Sequence, residues 1–487
     1  MRIVHLASEV APFCKTGGLG DVVGALPSAL VDAREGVEVA TFLPLHRAVR
    51  EHLGTRGKEV RDTDLRVAVP LNGGREMARI LELVGSGPAR TFFVDMPAGF
   101  DRPGLYGHGD DPLRYAAFSR AVLLAATPLL GAPPDLVHAH DWQTAMASVY
   151  LEARRTPALA RTRSVLTVHN LAYQGVCGAD LLPAMDLDTG LLRFDIMEFH
   201  GAMSLLKGGL TACDAITTVS PTYAREILTP EFGCNLDAHL RAHTGKLSGI
   251  LNGLDVVEWD PSTQPALPAN FSAADPAGKA VCRDALLAEF GLGGSKDGPV
   301  FGVVSRFTGQ KGLDLVCDAI PALVRRGARV VVLGTGEPSL EGRFAALAGR
   351  FPTQVGARIG FDAALAHRVV AGSDLFLVPS RFEPCGLTQM QAMRYGSVPV
   401  VHAVGGLRDT VADTGDERLM RGEGQGFRFE HPTAQGLLWA AERAMVRWHH
   451  DKDGWAHLVR GIMEQDLSWT RPAAAYLALY DKVLARA

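Results

Sequence analysis

The sequence lacks any cysteine pair at metal- or redox-motif spacing. Its seven cysteines (Cys14, Cys177, Cys213, Cys234, Cys282, Cys317 and Cys385) are odd in number and scattered. That argues against a disulfide scaffold or a structural zinc site and fits reduced thiols in a cytosol. An excess of either charge is also missing: 49 Lys and Arg stand against 53 Asp and Glu, a net of −4. Phosphate-backbone binding needs a cationic field, so a nucleic-acid partner is excluded for the chain as a whole, although a local cationic site is not. Long apolar runs are absent. The longest helix-like one, Ala121 to Leu130, is about half of what spans a bilayer. The stretch before Glu9 is too short for a signal h-region. No short-period repeat or low-complexity tail occurs. An unprocessed cytoplasmic chain with no membrane partner is expected.

What is present is an ordinary globular composition. The 487 residues are 47% apolar and 21% charged, enough for two to four domains. Candidate strands Ile3–Ala7, Val37–Leu43, Thr91–Asp95, Leu136–His140, Ser164–His169 and Ala215–Ser220 are mostly continuous apolar runs. Such runs suit parallel strands buried on both faces. Helical patterns Asp21–Arg34, Leu113–Leu130 and Asp141–Arg154 lie between them. The rhythm breaks over Asp255–Ser295, where Pro261, Pro265, Pro268 and Pro276 suggest an interdomain connection with one helix near Lys279–Phe290. It then restarts with strands Val300–Ser305, Arg329–Leu333, Ala357–Ile359, Leu375–Val378 and Val398–His402. Helices Gly312–Arg326, Leu340–Arg350, Ala363–Ala371 and Leu387–Tyr395 fall between these. Two α/β doubly wound domains are expected, facing each other across a deep cleft, with ligands at the carboxyl ends of the strands.

Five motifs sit at such ends. Lys15-Thr-Gly17-Gly18-Leu-Gly20-Asp21 follows the first strand. Its glycines permit positive φ and close approach of backbone N–H groups, and the following helix adds a positive dipole end. A diphosphate or a sugar would suit it; a tight turn with no ligand is the plain alternative. Its spacing is neither GxGxxG nor a Walker loop, and the second strand ends Phe42-Leu43-Pro44 without the acidic residue a dinucleotide ribose needs. His138-Ala-His140-Asp141 could ligate a metal only with further ligands, and no partner motif is evident; a packed strand end with Asp141 capping the next helix is the alternative. Thr167-Val-His169-Asn170 is a second polar strand end in the same half. Arg306 and Lys311 bracket a turn in the second half. Lysine is scarce, nine of the 49 basic residues, so two beside glycine turns are notable; solvated surface cations are the alternative, and phosphate recognition is the functional one. Last comes Ser380-Arg-Phe-Glu383-Pro-Cys385-Gly386-Leu387-Thr388, which offers N–H groups at a helix start beside a carboxylate.

The motifs KTGGLGDV, HAHDWQTA, TVHNLAYQG, VSPTYAREI, LNGLD, SRFTGQKGLDL, PSRFEPCGLTQ and GGLRDTV, in that order, resemble the bacterial glycogen synthases and plant starch synthases. These are retaining glycosyltransferases of the GT-B fold. The resemblance runs from Ile3 to about Tyr480. It implies an N-terminal domain over 1–252 on the acceptor side and a C-terminal domain over 253–470 on the nucleotide-sugar side. A helix over 471–487 would return to the N-terminal domain. It further implies ADP-glucose as donor, an α-1,4-glucan end as acceptor, and no cofactor or metal, since no DxD element is positioned as in metal-dependent transferases.

By the same resemblance Lys15, Gly17 and Gly18 belong to the nucleotide-sugar site, and Arg306 and Lys311 neutralise the diphosphate. Glu383 is the carboxylate near the transferred glucose, and Gly386, Leu387 and Thr388 cradle the distal phosphate. His169 lies beside the reacting sugar with Asp141 and Asn252 nearby, and Asp21, Asn170 and Cys385 complete the substrate-binding set. Two positions depart from wider patterns: Gln391 replaces a second glutamate of other retaining GT-B enzymes, and Phe100 replaces a tyrosine of some members, removing a hydroxyl near the donor. A UDP-glucose transferase, a non-catalytic glucan- or nucleotide-binding protein and a hydride-transferring enzyme are the competing readings. The retained Lys15, His169, Arg306, Lys311 and Glu383 weigh against the second of these, and the loop spacing weighs against the third.

Overall fold

The computed structural model describes residues 1–293, 298–415 and 424–486. They form two compact units, Met1–Gly253 with Trp469–Ala487, and Leu254–Ser468.

The first unit is built on β1 (Arg2–Leu6), β2 (Glu38–Pro44), β3 (Val60–Leu71), β4 (Gly74–Leu83), β5 (Ala89–Asp95), β6 (Leu136–His140) and β7 (Arg163–Val168). A small separate sheet follows, made of β8 (Val176–Cys177), β9 (Glu198–Phe199) and β10 (Ala202–Ser204), before β11 (Ala215–Thr218) and β12 (Leu247–Gly249). The main sheet runs β12-β11-β7-β6-β1-β2-β5-β4-β3. From β12 to β5 every pairing is parallel, and β4 and β3 add an antiparallel hairpin. This hairpin was not expected, because Arg61, Asp62, Asp64 and Arg66 break up the first half of β3 and leave only the partly buried run Val67–Leu71. Its turn at Asn72-Gly73, both at positive φ, carries the Asn-Gly signature that such turns favour.

The chain lays β1, β2 and β5 to one side, then returns to place β6, β7, β11 and β12 on the other. The switch in strand order therefore falls between β1 and β6, where open α/β sheets bind their ligands at the carboxyl ends. Helix Thr470–Leu484 closes one face. Its Ala473, Tyr476, Leu477, Tyr480 and Val483 repeat at helical spacing and pack with Val22, Leu26 and Leu30 of helix Gly18–Ala33. Arg34 forks onto Asp481 at 2.8 and 2.7 Å on the outside of this contact. Helix Asp111–Leu130 is long and apolar enough by composition to cross a bilayer, and most of it is buried inside the unit.

The second unit carries β13 (Val300–Phe307), β14 (Arg329–Gly336), β15 (Val355–Ile359), β16 (Leu375–Val378), β17 (Val398–His402) and β18 (Phe427–Phe429). They are ordered β15-β14-β13-β16-β17-β18 and paired in parallel throughout. Here the switch lies between β13 and β16. The stretch expected to be an interdomain connection is largely part of this unit. Trp259 stacks on His367 with centroids 4.2 Å apart, Asn270 Nδ2 donates to the Pro261 carbonyl at 3.0 Å, and helix Ala277–Glu289 follows. The end of that stretch, 294–295, lies outside the described residues. Proline restricts the backbone without preventing packing, so a proline-rich coil read as a linker is here a surface layer.

Candidate functional site

Each switch point carries polar side chains. After β1, the loop bearing Lys15 is held by a residue the sequence reading passed over. The buried Glu9 accepts the Thr16 backbone N–H and its hydroxyl, the latter at 2.7 Å, and the Tyr106 hydroxyl donates to it as well. Ser8 Oγ lies 2.8 Å from that same hydroxyl. An acidic residue directly after a buried strand was the available signal for Glu9; Tyr106 had none. Lys15 Nζ reaches Asp21 at 2.7 Å on the exposed side of the loop.

The loop glycines do not work as expected. None of Gly17, Gly18 and Gly20 has positive φ. Gly20 is required by contact, since a Cβ there would lie 2.6 Å from Lys15 Cβ. Gly17, extended at φ −163°, would hold a Cβ with no atom of the described residues beyond its chain neighbours within 4 Å. The missing side chain at Gly17 thus leaves open space over the loop. Phe100, expected to lack a tyrosine hydroxyl, lies in the core of this unit. Phe100 is fully buried against His46, Tyr115 and Phe118, while Tyr106 supplies a hydroxyl beside Glu9.

At the end of β6, Asp141 adopts φ +58° and makes no cap bond to its own helix. The capping alternative therefore fails. Its carboxylate accepts the His169 N–H at 2.6 Å and the Asn170 N–H at 3.4 Å, tying the end of β6 to the end of β7. A left-handed backbone at a non-glycine residue is strained, and such strain gathers at functional sites. Burial pushes the Asp141 carboxyl up to about 7, the two backbone N–H groups opposing the shift. Asn170 Oδ1 turns back onto the Ala172 N–H at 3.1 Å. Asn252 lies past β12 on the same edge, its buried Oδ1 without a partner among the described residues.

Behind Asp141 lies a cluster of buried imidazoles. His5 Nδ1 meets His140 Nε2 at 3.0 Å, and His140 Nδ1 meets His169 Nε2 at 3.0 Å. His138 is taken by Tyr480 Oη at 2.8 Å and Thr167 Oγ1 at 2.6 Å. Burial drives His5 and His169 down to about 3 and holds His138 and His140 well below the usual imidazole range. His5, His138 and His140 are close enough to ligate one ion. Yet every one of their ring nitrogens except His5 Nε2 is already hydrogen-bonded inside the unit, so the set does not fit a resident metal.

In the second unit Arg306 is exposed near the end of β13, and its guanidinium has no partner among the described residues. The chain then turns through Gly309–Lys311 and Gly312, at φ +64°, whose Cβ would lie 2.2 Å from the Pro379 carbonyl oxygen. Lys311 Nζ meets Glu383 Oε2 at 2.6 Å, and Ser380 Oγ donates to that oxygen at 2.8 Å. Lys311, Ser380, Glu383 and Thr388 line one small cavity. Buried Cys385 and Gly386, the latter at φ +70°, lead into the two-turn helix Thr388–Arg394. Leu387 and Thr388 open that helix, where backbone N–H groups have no partner in the helical ladder. Gly406 packs on this loop, its N–H donating to the Glu383 and Pro384 carbonyls at 3.1 Å. A Cβ on Gly406 would lie 2.0 Å from the Cys385 carbonyl oxygen.

The site residues thus gather into Lys15 with Asp21, Asp141 with His169 and Asn170, and Lys311 with Glu383. Arg306 and Asn252 make no side-chain bond to these groups.

Comparison with known proteins bears on this arrangement. Residues 2–242 match the family model described as starch synthase catalytic domain, and residues 298–429 that of glycosyl transferases group 1. The glycogen synthase of Anaeromyxobacter dehalogenans strain 2CP-1 is 50% identical over 99% of this chain and 98% of its own length. That of Roseobacter denitrificans is 44% identical over 99% of this chain and all of its own. The solved catalytic domain of starch synthase IV from Arabidopsis thaliana, bound to ADP and acarbose, superposes with a TM-score of 0.90 at 36% identity, covering 99% of both chains.

Proposed function

The chain belongs to the glycogen synthase and starch synthase family of glycosyltransferases, and from that premise we propose that it transfers glucose from ADP-glucose to the non-reducing end of an α-1,4-glucan with retention of configuration. The observation that carries the site assignment is the Lys311–Glu383–Ser380 cluster at the switch point of the second sheet. It is the place where such a sheet binds a ligand and where cation, carboxylate and helix-start N–H groups coincide.

Breaking the glucose C1–O bond leaves negative charge on ADP and positive charge on the sugar. Arg306, with no protein anion to satisfy it, and Lys311 take the diphosphate. The N–H groups of Gly386, Leu387 and Thr388 take its distal end, and Cys385 lies under that turn. Fixed donors aimed at developing charge act without reorganisation. Glu383, held by Lys311 and Ser380, presents its other carboxylate oxygen to the sugar. In the first unit Lys15, Gly17, Gly18 and Asp21 form a loop open to a ligand at Gly17. Asp141, His169, Asn170 and Asn252 supply hydrogen-bonding groups to a glucosyl unit. Attack on the same face, with the leaving phosphate oxygen taking the acceptor's proton, gives retention without a protein nucleophile. The reaction so written requires no cofactor, and its setting is the cytoplasm.

Purified enzyme, glycogen primer, and ADP-glucose or UDP-glucose carrying labelled glucose provide the test. Incorporation from ADP-glucose well above that from UDP-glucose, released by an α-1,4-specific amylase, is expected. Equal or better use of UDP-glucose overturns the donor assignment, and amylase-resistant label overturns the linkage.

A further inference from the structure

The three linked imidazoles of the first unit have a direction. Neutral imidazole carries one proton, so each ring donates from one nitrogen and accepts at the other. Burial keeps all three rings neutral. In one order, His5 Nδ1–H donates to His140 Nε2 and His140 Nδ1–H donates to His169 Nε2. His5 Nε2 is then a bare lone pair. In the opposite order His5 Nε2 carries a proton, and that atom is buried with no acceptor among the described residues. Proteins rarely leave a buried N–H unpaired, whereas an unsatisfied acceptor is better tolerated. The first order therefore holds, and it places the proton of His169 on Nδ1. This nitrogen has no partner among the described residues and is the open end of the chain, because the other end is sealed at His5.

We propose that His5 and His140 are positioning residues that fix the tautomer of His169, so that it presents an Nδ1–H donor to an oxygen of the transferred sugar. The assignment rests on the functional reading above for the identity of that oxygen, and on the ring geometry alone for the position of the proton. A free imidazole in water prefers its proton on Nε2, so the chain imposes the less common form. In this form His169 cannot accept a proton through its open nitrogen. It acts by hydrogen bonding and not as a general base. His138 stays outside the chain, both its nitrogens being engaged by Tyr480 and Thr167.

Full-length enzyme labelled with 15N-histidine tests the proton order directly through long-range proton–nitrogen correlations at neutral pH, with His5→Phe and His169→Asn to assign the signals. Protons on Nδ1 of His5, His140 and His169 are expected. A proton on Nε2 of His169, or a doubly protonated ring there, overturns the proposal whatever the enzyme's substrate proves to be. Kinetics supply the second measurement. In His140→Asn the carboxamide N–H can stand where Nδ1–H stood, whereas His140→Leu offers no donor. We expect His140→Leu to lose about tenfold in kcat/KM, the scale of one hydrogen bond, and His140→Asn to recover most of it. Equal losses in the two variants, with the His169 tautomer unchanged in both, would reduce His140 to a packing residue and overturn its positioning role. Absence of glucosyl transfer in the parent enzyme would sink the functional reading and leave the proton order to stand on the spectra.

Discussion

The two sheets solve the same problem with different chemistry. Each gathers its polar groups where strand order reverses, at the carboxyl ends of β1 and β6 in one unit and of β13 and β16 in the other. In the first unit the exposed loop after β1 carries the Lys15–Asp21 ion pair, while the groups at the ends of β6 and β7 are shifted by burial: Asp141 raised to about 7 and His169 lowered to about 3. In the second they are ionic, with Lys311 on Glu383 and Arg306 exposed nearby. The glycines differ in the same sense. Gly17 faces open space, while Gly406 lies against the Cys385 carbonyl. On the proposed function, the buried groups of the first unit would hold an uncharged sugar by directed hydrogen bonds and the ionic groups of the second would hold a charged leaving group.

Breaking the ionic side is expected to have the largest effect. Lys311→Ala removes the donor proposed for the diphosphate, and Glu383→Gln removes the carboxylate proposed for the sugar. Each should lower kcat by about 10²–10³. Lys311→Ala also leaves Glu383 partly buried without its cation, so the single variant should be less stable than Lys311→Met combined with Glu383→Gln, which removes both charges. Initial rates with ADP-glucose and urea unfolding midpoints separate the two effects. Wild-type turnover in either single variant would contradict the site.

The neutral side should fail in acid. His5 and His169 have folded values of about 3 against 6.5 for the free group. The unfolded chain therefore binds their protons first as pH falls. Stability is full above 6.5 and is lost progressively toward 3, at about 1.4 kcal/mol per pH unit for each ring. Asp141 opposes this. Its folded value lies above the free value of 3.8, so the folded state gains stability as pH falls from about 7 toward 4. His5→Phe should flatten the fall in urea midpoint between neutral pH and pH 5, and Asp141→Asn should steepen it. A midpoint indifferent to both substitutions would remove the distinction between the units.

A smaller effect separates the glycines. Gly17→Ala adds a methyl where the protein has nothing within 4 Å and the backbone is extended, so its unfolding midpoint should not move. If a ligand occupies that space, the KM for ADP-glucose should rise, by about tenfold for one lost close contact or hydrogen bond. Gly406→Ala must instead displace the Glu383–Cys385 loop and should lower the midpoint. An unchanged KM in Gly17→Ala would mean that the loop does not close on a ligand.

These differences mark what a sequence can convey. The α/β rhythm was legible because buried parallel strands need continuous apolar runs, and β6, β16 and β17 begin and end where their runs do. The β3–β4 hairpin was not, since Arg61, Asp62, Asp64 and Arg66 interrupt the apolar signal over the first half of β3. The family was legible because eight motifs recur in order. The partners of the motif residues were hidden by sequence distance: Glu9 reaches Thr16, but Tyr106 joins it from 97 positions away and Tyr480 reaches His138 from 342 away. Glycine roles were misread at the first loop for a related reason. A glycine's neighbours, not its permissive φ, explain Gly20 and Gly406, and neighbours are a tertiary property.

The mildest expected effect concerns metal. His5, His138 and His140 lie within ligating distance of one another, and His138-Ala-His140-Asp141 reads as a metal motif until the hydrogen bonds are traced. A cation there would have to take lone pairs away from Tyr480, Thr167 and the His5–His140–His169 chain. A ligating imidazole normally keeps its second nitrogen bonded to a carboxylate, carbonyl or water, and no carboxylate bonds any of these three rings. On the proposed function, Arg306 and Lys311 of the other unit would give the charge stabilisation that a metal could supply. Exhaustive dialysis against EDTA should therefore leave both the transfer rate and the unfolding midpoint unchanged. Loss of activity restored by one added divalent ion would place a cation at the neutral site and erase the contrast between the two sheets.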